Sequence, residues 1–144
     1  MYRQLRNAIL AFAVAALANA PLQADEQAEL TEAVTVDHAV ADAAEPDGCT
    51  TVRFNITNNS NRVIQLLGLS SDLVRQPRLV ARVAPDRSVT MSSIGIPAND
   101  VLELTPSDLW FESCDLGGAL RHGDIISVKL EFVGWSTPIF VHVH

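Results

Sequence analysis

The feature that most constrains this chain is a period of two. In "DIISVKLEFV" the residues Ile126, Val128, Leu130 and Phe132 alternate with Ser127, Lys129 and Glu131. "CTTVRFNIT" does the same with Val52, Phe54 and Ile56, and "PIFVHVH" with Ile139, Val141 and Val143. Successive side chains on a strand point to opposite faces, so each segment builds a ribbon with one apolar side and one wet side. Turn clusters such as "NNSN", "APD" and "IPAND" separate these segments and others ("TVDHAV", "RVIQLLGL", "RLVARV", "SVTMSSI", "DVLEL"). About eight short strands at this spacing, with no strong helical stretch, predict an all-β domain: a β-sandwich or Greek-key barrel.

The first two dozen residues follow another logic. "MYRQLRNAILAFAVAALANA" begins basic, at Arg3 and Arg6, then runs apolar from Ala8 to Ala18 and ends in small residues. That pattern reads as a secretory signal over residues 1–24, too short an apolar run to span a bilayer comfortably. Pro21 disfavours a cut after "ANA", so cleavage is expected after Ala24. Residues 25–33, "DEQAELTEA", form an acidic lead, and residues 34–144 the domain. No membrane span is expected once the signal is removed.

Losing two arginines leaves 17 acids against 8 bases. So acidic a chain, without a basic cluster, argues against nucleic acid and anionic membranes as partners. A nucleophile elbow, a His-Glu-x-x-His pair and a Gly-rich phosphate loop are all missing, so no enzyme chemistry is indicated. The two cysteines, Cys49 and Cys114, leave two readings open in an exported protein. One is a structural disulfide across a long loop; the other is a pair of thiolates for a soft metal.

At this point the residues carry a resemblance. "TVDHAVADAAEPDGCTTVRFNITNNS", "SSIGIPANDVLELTP", "GGALRHGDIISVKLEF" and "VGWSTPIFVHV" resemble, in order and spacing, the PCu(A)C family of periplasmic copper chaperones. The likeness runs from Val34 to Val143. It implies a cupredoxin-like β-sandwich, a periplasmic or secreted location, and copper handling with a periplasmic copper acceptor or other protein as partner. It also implies a ligand set of two His and two Met for Cu(I), which this chain does not keep. Counted from Pro106, the family's His-x-Met falls on Trp110 and Glu112; its earlier Met falls on Ser88 and its earlier His near Pro77 or Arg78. Beyond the leader, Met91 is the only methionine.

Other donors could form a rearranged copper site, for Cu(I) or Cu(II). Trp110, Glu112 and Cys114 share strand parity, and Met91 lies three residues beyond an expected ligand position. His142 and His144, two apart on a strand, share a face about 6.5–7 Å apart, close enough to chelate one ion. The metal candidates are therefore Met91, Cys114, His142 and His144. His122 reads as a turn residue beside Gly123, and His38 as an exposed strand residue. The alternative is a non-metal protein-interaction module on the same fold, with Trp110 and Glu112 as its exposed contact residues.

Overall fold

The structure, a computed structural model, describes residues 33–106 and 108–144. The proposed signal (1–24) and nearly all of the acidic lead (25–33) lie outside the described residues. Twelve strands make up the described fold: β1 (Val34–Ala41), β2 (Thr50–Asn58), β3 (Ile64–Ser70), β4 (Val74–Arg75), β5 (Arg78–Ala84) and β6 (Arg87–Met91). They continue with β7 (Ile94–Ile96), β8 (Val101–Glu103), β9 (Leu109–Ser113), β10 (Asp115–Leu116), β11 (Ile125–Phe132) and β12 (Trp135–Val143). The count exceeds the eight read from sequence because β4, β9 and β10 show no alternation and one segment is cut in two. "SVTMSSI" breaks at Ser92–Ser93 into β6 and β7.

That break closes the fold. Ten strands form one sheet in the order β6-β5-β9-β2-β1-β12-β11-β3-β7, with β8 also on β2, while β4 and β10 pair separately. β6 and β7 are the two ends of this order, yet only Ser92 and Ser93 lie between them in the chain. The sheet must therefore curl until its ends meet, as a nearly closed barrel that leaves little free edge.

The alternating residues fill the interior. Val52, Phe54 and Ile56 on β2, Val128 and Leu130 on β11, and Val141 and Val143 on β12 are each at most 1% exposed. Phe54 stacks on Phe111 of β9 with ring centres 6.0 Å apart. Gly134, at φ 81°, makes the two-residue turn between β11 and β12 that a side chain would strain. Trp135, which begins β12, stacks on Phe132 at 4.3 Å.

One buried polar side chain ties the end of β2 to its surroundings. Asn58 is fully buried, and its Nδ2 donates to the carbonyls of Arg62 (2.8 Å), Ile96 (2.9 Å) and Pro97 (3.1 Å). Its Oδ1 accepts from the Ser60 amide at 3.0 Å and the Ser60 hydroxyl at 2.6 Å. The "NNSN" turn is thus held by an asparagine inside the protein.

β1 and β12 join the two halves of the strand order. Their pairing is parallel and covers only Val40↔His142 and Ala41↔Val143. The His144 amide extends it by donating to Ala41 O (2.9 Å), and His144 O accepts from the Ala43 amide (2.8 Å). Two features stop it from running further toward the start of β1. The register of β1 on β2 shifts between Asp37 and Val40, where His38 takes φ 52°. On β12 the even residues face β1, as the His144 amide shows, and Pro138 has no N–H to offer there.

This burial pattern predicts a sharp contrast. Phe54→Ala should cost about 3–5 kcal/mol in urea unfolding, the range for an emptied aromatic core position. Phe140→Ala, at a residue 70% exposed on the outer side of β12, should stay within about 0.5 kcal/mol.

Candidate metal centre

The positions where the resemblance places copper ligands come together on the outer face of β5, β6 and β9. Across β5 and β9, Arg78 pairs with Glu112 and Val80 with Trp110; across β5 and β6, Arg82 pairs with Ser88. Arg78, Val80 and Arg82 alternate with the inward Leu79, so all these side chains share one face. What stands there is the opposite of a copper cradle. The Arg82 guanidinium lies 5.7 Å from the centre of the Trp110 ring, and its Nη1 donates to Pro85 O at 3.0 Å. Arg78 Nη2 donates to Glu112 Oε1 at 3.0 Å, which engages the one carboxylate present. Two guanidinium groups on this face would repel a bound cation.

Several sequence expectations need correction here. Trp110 is 8% exposed and covered rather than displayed, so it cannot be the exposed contact residue of an interface. Glu112 is engaged by Arg78 rather than free. Met91 sits opposite Leu79 and packs against the core, on the inner side of the sheet. It therefore cannot share an ion with Glu112, which is on the outer side. The three-residue offset from Ser88 hid this, because an odd step along a strand reverses the face.

Cys114 is bonded to Cys49, with the sulfurs 2.06 Å apart and the Cα atoms 4.0 Å apart. The register Thr50↔Ser113, Thr51↔Glu112, Val52↔Phe111 continues one step outward to this pair. The bridge is thus a rung of the β2–β9 ladder placed just beyond its last hydrogen bonds. Both cysteines are exposed, and neither has a free thiolate for a metal.

His142 and His144 do share the outer face of β12, and both are exposed. The fold nevertheless gives them different neighbours. His142 lines a cleft of about 440 Å³ that opens where the β1–β12 pairing stops, together with Val36, Asp37, His38, Pro138 and Phe140. In that cleft His38 Nδ1 lies 3.1 Å from Asp37 Oδ1. His144 meets His122 instead, ring centre to ring centre at 6.0 Å with planes 66° apart. His122, a turn residue by its sequence context, gains this partner only because its turn docks on the end of β12. No group of three His, Cys, Asp or Glu side chains that could hold a metal ion occurs among the described residues.

Two measurements follow from this geometry. Reducing the Cys49–Cys114 bridge, which spans 65 residues of sequence, should lower stability by up to about 4 kcal/mol in urea. Glu112→Ala should cost no more than about 1 kcal/mol, because the Arg78 and Glu112 side chains are 59% and 31% exposed and solvent screens the pair.

No protein-family model matches the chain, and no curated protein matches it. Solved structures do. The copper-bound PCuAC domain from PmoF2 superposes with a TM-score of 0.68 at 17% identity, covering 78% of this chain and 92% of that one. The apo PCuAC domain from PmoF1 gives 0.67 at 15% identity, over 78% and 93%. The Cu(I) form of DR1885 from Deinococcus radiodurans gives 0.62 at 21% identity, over 85% and 86%. The chain has the fold of a PCuAC domain, carried by a sequence that departs from those domains at most positions.

Proposed function

We propose that this is an exported copper-handling protein, acting in the periplasm on a PCuAC-type barrel and holding copper through donors other than the family's. The observation that carries this reading is the extent of the match. The alignment takes in 92% of a copper-bound PCuAC domain, so the likeness extends to nearly the whole of that domain. Fold alone does not fix a role. Support for copper in particular comes from the exposed imidazoles at the β1–β12 seam, since imidazole is a good copper donor. The family's own positions contribute nothing to holding it, because Arg78 and Arg82 would oppose a cation there. The acceptor of the copper would be another periplasmic protein.

A second reading, a protein-docking module without metal, is favoured by the exposed apolar residues Phe140 (70%) and Ile125 (60%) on the outer face of β12 and β11. Phe140 lines the cleft beside β1 and Ile125 stands across from His142 on β11, whereas Trp110 and Glu112 take no part.

A copper competition titration of the exported protein against coloured chelators distinguishes the two. It would be run anaerobically for Cu(I) and in air for Cu(II), with the disulfide intact. One equivalent held in at least one oxidation state is the expected outcome. Failure to compete in both states would leave only the docking module.

A further inference from the structure

We propose that His122 and His144 form a two-imidazole site for a divalent metal ion, with Cu(II) the preferred occupant. The choice of copper rests on the copper-handling reading above; the site itself rests on geometry. Two imidazoles bound to one ion at about 2.0–2.1 Å place their ring centres roughly 3 Å from it, hence about 4.5–6.3 Å from each other as the N–metal–N angle opens from a right angle to a straight line. The observed 6.0 Å falls in that range, toward its open end. Both residues are exposed, and the broad χ2 torsion of histidine lets each ring turn to present a nitrogen to the other.

The backbones beneath the two rings are fixed, which is what separates a site from two passing side chains. His122 sits in a turn where the Asp124 amide donates to Arg121 O and the Gly123 amide to Val143 O, both at 2.9 Å. Asp124 Oδ2 accepts from the Arg121 amide at 2.9 Å, so that carboxylate serves the turn. Gly123 takes φ 93°, a conformation that lets the turn fold back on β12. On the other side, His144 is held by its amide on Ala41 O and its carbonyl on the Ala43 amide. The two histidines therefore stand on opposite sides of one hydrogen-bonded corner, where β12, the turn before β11 and the end of β1 meet. An ion there would cross-link that corner.

The donor set selects the metal. Two neutral imidazoles, completed by water, suit borderline divalent ions, and affinity along that series peaks at Cu(II). The pair holds no thioether or thiolate, the soft donors that select Cu(I) most strongly. Zn(II) should occupy the same residues more weakly.

The test is a Cu(II) titration of the exported protein against glycine as competing chelator. Visible absorption and the nitrogen hyperfine structure in electron paramagnetic resonance would follow binding in the parent and in His122→Ala, His144→Ala and His142→Ala. The expected result is one equivalent of Cu(II) with two nitrogen ligands in the parent. Affinity should fall at least tenfold in H122A and in H144A and be unchanged in H142A. All three substituted rings are exposed, and an unchanged circular dichroism spectrum would confirm that the variants fold. Parent-like copper affinity in H122A or H144A would overturn this site while leaving the copper-handling reading intact. An equal loss in H142A would overturn it too, by moving the ligand to the β1–β12 cleft. A parent that takes up Cu(I) but no Cu(II) would overturn the divalent site alone, and one that takes up neither would overturn both readings.

Discussion

The barrel depends on a short parallel seam. Every other named strand pairing in the main sheet is antiparallel, but the first and last strands meet in parallel over Val40↔His142 and Ala41↔Val143. Through that seam the group β6-β5-β9-β2-β1 is hydrogen-bonded to the group β12-β11-β3-β7. Elsewhere the two groups are tied by chain connections such as the corner at Ser92–Ser93, and by Asn58 of β2 donating to Ile96 O of β7. Parallel pairing joins strands far apart in sequence and closes a long loop to do so, so its two backbone pairs need support from burial. Ala41, Val141 and Val143, each at most 1% exposed, supply it by packing beneath the seam.

The features that limit the seam also shape the surface around it. The left-handed residue His38 and the missing N–H of Pro138 end the pairing early, and the cleft lined by His142 and Phe140 is the consequence. At the other end, where the seam is complete, the turn carrying His122 docks on β12 and meets His144. One short stretch of backbone pairing thus separates two histidines that are neighbours along the strand and sends them to different surroundings.

The outer face of β5 and β9 follows a different physical rule. A soft-metal site needs polarizable donors and no competing positive charge. Here tryptophan, glutamate and two arginines stand around the corresponding positions and satisfy one another: a cation against an aromatic ring, and a cation against a carboxylate. The face retains the barrel's shape without the donors that would hold Cu(I). Its fillers stabilise the surface through packing of Trp110 and a screened ion pair.

Much of the fold was legible in the chain because burial on one side of a strand writes a period of two into the text. "IISVKLEF" and "TTVRFNIT" could be assigned with their inward faces correctly oriented from that alone. β9, "LWFES", carries no such mark, because Leu109, Trp110, Phe111 and Ser113 are all buried, on both sides of the sheet. β4 and β10, two residues each, are too short to show any period. The candidate site was less legible still. Counting along the chain sets Met91 three residues from an expected ligand position, whereas the pleat puts it on the opposite side of the sheet from Glu112.

The sequence by itself determined that this is an all-β domain, which residues of its alternating strands face the interior, and that the two-histidine, two-methionine ligand set implied by the resemblance is missing. These are properties of composition and local alternation, and they need no knowledge of which strands become neighbours. Only the tertiary structure decided that Cys114 bonds Cys49 as a rung of the β2–β9 ladder, that Arg82 covers Trp110, and that His144 meets His122 rather than His142. Each of these contacts joins segments distant in the chain, and is set by strand order, register and the docking of a turn, none of which a local pattern encodes.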